Sequence, residues 1–170
     1  SAAGDVNGDG LDDVIIGAWM ADPNNTNTGA SYVVFGKVDK AAVELSILDE
    51  EGGGGFVING ADASDHSGYS VSAAGDVNGD GLDDVIIGAY QADPNGNSSG
   101  SSYVIFGTDS TDAIELSTIE AEGGGGFVIN GAEAHDKSGY SVSAAGDVNG
   151  DGLDDVLSLI HISEPTRPSI

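Results

Sequence analysis

The decapeptide Gly-Asp-Val-Asn-Gly-Asp-Gly-Leu-Asp-Asp stands at residues 4–13, 75–84 and 146–155. Five of its ten residues carry a side-chain oxygen. Carboxylates packed this closely repel one another, so the run calls for a positive partner. With Asp76 as position 1, Asn78 is position 3, Asp80 position 5, Gly81 position 6, Leu82 position 7 and Asp84 position 9. Short oxygen side chains at alternate positions, with glycine at position 6 for a sharp turn, are how a calcium loop begins, and the carbonyl of position 7 can point inward with them. The candidate ligands in the first copy are Asp5, Asn7, Asp9, the Leu11 carbonyl and Asp13. In the second they are Asp76, Asn78, Asp80, the Leu82 carbonyl and Asp84, and in the third Asp147, Asn149, Asp151, the Leu153 carbonyl and Asp155. Several hard, flexible oxygen ligands suit Ca²⁺, whereas Mg²⁺ demands a stricter octahedron and retains water. No His or Cys lies near, which disfavours zinc and copper.

A helix–loop–helix calcium site would need a bidentate Glu at position 12. That position is Ile16, Ile87 and Ser158 in the three copies, so the loop must close earlier, on the position-9 aspartate. Residues 14–18 and 85–89 then read as strand, which puts the loop between two strands and argues against a dockerin module. Asp12, Asp83 and Asp154 at position 8 neighbour a ligand in an extended segment and should point away from it. They read as facing solvent or supporting a ligand from outside. An Asx-rich turn without a metal is the alternative. Three copies in register, each with an acid at position 9, weigh against it.

The elements that hold these loops repeat with them. Asp5, Asp76 and Asp147 are each 71 residues apart, and "GGGGFVINGA" at 52–61 returns at 123–132 without a gap in register. A fixed period of this length marks a propeller or solenoid, in which one unit cannot bury its own apolar surface. Tyr69, Val71 and Ala73 alternate with serines, a strand period of two. "DVIIGA" at 84–89 is apolar on both faces, as in a strand covered on both sides. "SYVIFG" at 102–107 and "GFVIN" at 126–130 complete four short strands per repeat, joined by polar turn formers. "IELSTI" within the long link 107–125 is a candidate for one more short strand or turn. The fold class expected is all-β, a β-propeller of four-stranded antiparallel blades. The repeats divide as 1–61 with the first strand cut short, 62–132 complete, and 133–156 as a start only. These two and a third repeats are too few for a ring of about four to eight blades, so the chain reads as a fragment of a larger propeller. After the third "GLDDV" register and composition change together, and residues 157–170 read as a non-native tail.

Composition narrows the function. The chain has 29 acidic and four basic residues, a formal charge of −25, which excludes nucleic acid and anionic membrane surfaces as partners. There is no cysteine, so disulfides and thiolate metal sites are out. The longest apolar stretch, residues 14–21, is far too short to span a bilayer, and direct membrane insertion is not expected. His66 aligns with Lys137 and His135 with Ser64, so neither histidine repeats its chemistry. The glycine runs at 52–55 and 123–126 lack the Lys-Ser/Thr of a phosphate loop and read as flexible entries to the last strand. No nucleophile elbow or metal–His cluster appears, and no enzyme activity is expected. Asn24 and Asn97 open N-x-S/T sequons, which matter only in a eukaryotic secretory host. Trp19 and Tyr90 occupy equivalent places beside polar loops, where they either stack on a sugar or pack between blades.

"GYSVSAAGDVNGDGLDDVIIGA" resembles the FG-GAP repeat of integrin α-subunit propellers and bacterial surface proteins, over residues 1–156. The resemblance implies a calcium loop between the first two strands of each blade, with the ligands named above. It implies an extracellular or cell-surface scaffold for adhesion or protein interaction. The partners would be neighbouring blades of a parent chain and a protein or glycan ligand. The alternatives are a carbohydrate-binding propeller and an accessory domain of a secreted enzyme. "SGYS" at 67–70 stands where the family has Phe-Gly, and "GAW" and "GAY" where it has Gly-Ala-Pro. These departures leave the ligand-binding activities of animal integrins uninherited.

Overall fold

The structure is a computed structural model that describes residues 1–48, 54–119 and 125–160. Strands β1 (Ala2–Gly4), β2 (Asp13–Ala18), β3 (Ala30–Val34) and β4 (Gly55–Asn59) lie side by side in chain order as the first sheet. Strands β5 (Ser70–Gly75), β6 (Asp84–Ala89), β7 (Ser101–Ile105) and β9 (Gly126–Asn130) form the second. The first two strands of a third, β10 (Val142–Gly146) and β11 (Asp155–Ser158), follow. Pairing within each blade is antiparallel, and the registers superpose by the repeat: Val14 faces Val34 as Val85 faces Ile105, and Ala30 faces Asn59 as Ser101 faces Asn130. The all-β blades are those the period-two pattern predicts. Among the described residues, no helix is long and apolar enough to cross a membrane.

The blades stack through a shared core. Ala3, Ile15, Val33, Phe56 and Ile58 of the first pack with Val85, Ile87, Tyr103 and Ile105 of the second. Ala74, Ile86 and Val104 on the second blade's other face pack with Val142 of the third. All six residues of β6 are therefore buried, as its two-sided apolar sequence predicts. The identical sequence in β2 meets a neighbour on one side only. Val14 and Ile16 are 46% and 39% exposed, while their equivalents Val85 and Ile87 are fully buried. The difference is one of neighbours, since the residues are the same.

The long link of the second repeat does add structure. β8 (Ile114–Glu115) pairs in parallel with β4 of the preceding blade and runs into one helical turn, α1 (Leu116–Ile119), whose Leu116 and Ile119 are buried. The equivalent residues of the first repeat form a 3-10 turn, Leu45–Ile47, with no buried residue of its own, followed by Leu48, which is fully buried like its counterpart Ile119. The histidine-bearing links repeat in backbone though not in chemistry: Ser64 and His66, and likewise His135 and Lys137, all adopt positive φ. Of the two glycine runs, residues 52–53 and 123–124 lie outside the described residues, and Gly55 and Gly126 are the first residues of β4 and β9. β11 continues through Leu157 and Ser158, whose partners are Ser143 and Val142. The ladder thus runs two residues into segment 157–170, of which 161–170 lie outside the described residues.

Candidate metal centre

Each decapeptide connects the first two strands of its blade, at a bulge whose glycine (Gly4, Gly75 or Gly146) has positive φ. The chain then curls so that its own N–H groups point at the side-chain oxygens. In the second loop, Gly79 and Asp80 donate to Asp76 Oδ1 (2.7 and 3.1 Å), and Gly81 donates to Asp76 Oδ2 (3.0 Å). The Asp80 N–H is shared with Asn78 Oδ1 (2.8 Å), and Leu82 donates to Asp80 Oδ1 (2.9 Å). The first loop repeats the scheme through Asp5, Asn7, Asp9 and Leu11, and the third through Asp147, Asn149, Asp151 and Leu153. Positions 1, 3 and 5 are thereby drawn together three times over.

Position 9 lies deeper. Asp84 is fully buried; its Oδ2 accepts the Val77 N–H (2.9 Å) and its Oδ1 the Gly107 N–H (2.8 Å). Asp13 does the same with Val6 and Gly36 (2.8 and 2.7 Å), and Asp155 Oδ2 takes Val148 (2.9 Å). In the first two blades this carboxylate ties the loop entrance to the residues just after the third strand. Burial pushes Asp84 up from 3.8 to about 6 against the pull of its two N–H donors, and the charges of Asp80 and Asp76 add to the rise. Asp13 is raised for the same reasons. At the open rim the balance reverses: the Gly152 and Gly150 N–H groups hold Asp147 below the usual carboxylate range.

Among the described residues, no three His, Cys, Asp or Glu side chains stand close enough together to hold a metal ion. Each loop gathers two carboxylates and one carboxamide, with the third carboxylate turned inward beneath them. The donor chemistry nevertheless fits a hard cation. The backbone N–H groups of each loop draw in side-chain oxygens, and the one ion pair among the described residues, Lys37–Asp39 (3.2 Å), belongs to another segment. The buried Asp84 also lacks a positive charge to offset its neighbours.

Position 8 supports a ligand residue from outside, and the loop it supports is the preceding one. Asp83 Oδ2 accepts the Asp5 N–H (2.8 Å), and the Asp83 N–H donates back to the Asp5 carbonyl (3.1 Å). Asp154 makes the same two bonds with Asp76 (3.1 Å each). Asp12, in the first loop, is exposed. The position-8 aspartates thus point away from their own loop, as the strand alternation predicts, and onto the preceding one. A second junction residue has no signal in the sequence: Glu115 on β8 accepts Asn59 Nδ2 and Asn24 Nδ2 (2.7 Å each) from the blade before. The sequon residue Asn24 is therefore engaged through its carboxamide. Trp19 and Tyr90 join a cross-blade aromatic cluster: Trp19 packs on His66 and Tyr69 (5.2 and 5.9 Å), and Tyr90 on Tyr69 and Tyr140 (4.5 and 5.5 Å).

The FG-GAP repeat family's sequence profile matches residues 1–34 and 67–105, which hold the first three strands of the first two blades and their two loops. The chain is an FG-GAP repeat protein. Integrin alpha pat-2 of Caenorhabditis elegans is 34% identical over 160 residues, covering 91% of this chain and 12% of its own length. Integrin alpha-PS2 of Drosophila melanogaster is 30% identical over 170 residues, covering 96% of this chain and 11% of its own. The chain thus spans about an eighth of the curated relatives it matches. The likeness to integrin α chains runs across the Tyr-for-Phe and Trp/Tyr-for-Pro departures, at residues that the structure assigns to the aromatic cluster between FG-GAP blades.

Proposed function

We propose that this chain is a calcium-stabilised stretch of an extracellular or cell-surface β-propeller, a non-catalytic scaffold for adhesion or protein interaction. One observation carries the reading: the oxygens of positions 1, 3 and 5 gather at the same strand connection of three successive blades. Asp5, Asn7, Asp9, the Leu11 carbonyl and Asp13 would hold the first ion. Asp76, Asn78, Asp80, the Leu82 carbonyl and Asp84 would hold the second, and Asp147, Asn149, Asp151, the Leu153 carbonyl and Asp155 the third. Bound calcium supplies the positive charge that the crowded carboxylates lack. The chain's own part is to curl the backbone so that these oxygens converge, and to anchor each loop through the position-9 aspartate, which is buried in the first two loops. The similarity to integrin α chains supports the adhesion setting and a protein ligand. A glycan ligand would meet the shared cluster of Trp19, Tyr69, Tyr90 and Tyr140, in which Tyr69 and Tyr140 are 37% and 45% exposed and Trp19 and Tyr90 are half buried.

The test is thermal unfolding in chelator and in calcium. Extracellular calcium modules bind at roughly 10⁻⁴–10⁻³ M. At about 10 mM Ca²⁺ each loop then stabilises the fold by about 1.4–2.7 kcal/mol. Superimposable melting curves in EDTA and in 10 mM calcium would refute the reading.

A further inference from the structure

Consecutive loops touch. The Leu82 side chain covers Gly8 of the loop before it so closely that a Cβ there would lie 2.9 Å from Leu82 Cδ2, and Leu153 covers Gly79 at the same 2.9 Å. Beside this contact, Asp83 grips both backbone groups of Asp5, and Asp154 grips both of Asp76. Asp5 and Asp76 are the residues whose carboxylates gather the N–H groups of their own loops. The tripeptide 82–84 therefore belongs to two loops at once. Leu82 and Asp84 serve the second loop, while the Leu82 side chain and Asp83 fix the first. The tripeptide 153–155 stands in the same relation to the third and second loops.

From this contiguity we propose that Asp83 and Asp154 are positioning residues that couple each cation loop to the loop of the preceding blade, so that the three loops load with calcium cooperatively. The inference rests on the calcium reading above. Ordering residues 82–84 around one ion fixes the Asp83 carboxylate and N–H. Those two groups in turn hold the Asp5 backbone where its side chain can serve the next ion. The network is physical and continuous between the sites, which is what energetic coupling requires. Coupling runs through hydrogen bonds that an asparagine could also make, because its carboxamide oxygen accepts the Asp5 N–H as a carboxylate does.

Calcium titration of the whole chain by calorimetry tests this, with stoichiometry and Hill coefficient as readouts. The wild-type chain is expected to bind three ions with a Hill coefficient above 1, successive affinities rising about fivefold or more. Asp83→Ala with Asp154→Ala should still bind three ions but with a Hill coefficient of 1, and Asp83→Asn with Asp154→Asn should restore the cooperativity. Asp80→Ala, an exposed change in the middle loop, separates the outer two and should leave two independent sites. That variant keeps the test decisive if the double alanine variant does not fold. A wild-type chain that binds calcium at three independent sites overturns the coupling and leaves the calcium reading intact. Alanine variants with wild-type cooperativity also overturn the coupling. A chain that binds no calcium overturns both.

Discussion

Replacing Gly75 by alanine measures the junction between blades directly. Gly75 has φ +75°, and a Cβ there would fall 2.1 Å from Asp154 Oδ2 and 2.8 Å from Asp154 Cβ. Rotating the carboxylate away does not relieve the second contact, so Asp154 itself must withdraw and release the Asp76 N–H. Gly81, in the same loop, has φ +91° with nothing within 4 Å of its would-be Cβ, and serves as the control. Both substitutions carry the left-handed backbone penalty of about 1–2 kcal/mol. Gly75→Ala adds the loss of a hydrogen bond to a charged group. That bond is worth about 1.5–3 kcal/mol when buried, and nearer the lower figure here, because Asp154 is only half buried. The expected gap between the variants is thus about 1.5 kcal/mol, or about 3–6 °C in Tm for a chain of this size. Urea unfolding in chelator, followed by circular dichroism with m held equal, reads it without interference from calcium. Equal midpoints for the two variants would show that the Asp154 clasp holds nothing together.

Two further outcomes follow from burial. Ile87→Ala should destabilise the chain by about 2–5 kcal/mol, whereas Ile16→Ala, at the equivalent but 39% exposed position, should cost under about 1 kcal/mol in the same denaturant assay. Asp84 gives a pH signature: its folded value of about 6 lies above the unfolded 3.8, so the folded state binds the extra proton between them. In chelator its contribution is fully present below about pH 4 and is lost as pH rises through about 6. From pH 4 to pH 7 in chelator the unfolding free energy of the wild type should therefore fall relative to that of Asp84→Asn.

Much of this was legible because the repeat supplies its own alignment. The period of 71 residues, the alternation in "YSVSA" and the two-sided run "DVIIGA" specify strands, and the structure has them with register conserved between blades. Positions 1, 3 and 5 were readable for a local reason: side chains two residues apart on a tightly curled backbone must meet. What lay beyond reach joins residues distant in the chain. Asp83 bonds a residue 78 positions earlier, and Glu115 bonds asparagines 56 and 91 positions earlier. A repeat seen from its sequence shows that the acid at position 8 recurs, but not which neighbour it serves. Ile16 and Ile87 make the same point in reverse, since identical sequences have different exposure when only one is flanked on both sides.

One decapeptide thus does three physically separate things. Its odd positions 1 to 5 gather oxygens, its ninth residue anchors the loop into the buried end of the sheet, and its eighth reaches the blade before. The alternation of an extended segment divides the last two tasks, because neighbours there must face opposite ways. Position 9 is consequently buried within its own blade while position 8 is free to bridge to another. A blade in this arrangement is not a self-sufficient unit: its loop is completed by a tripeptide from the blade that follows. Stability must then propagate along the array as interface terms between neighbours. A substitution at position 8 should weaken the blade before it more than the blade that carries it.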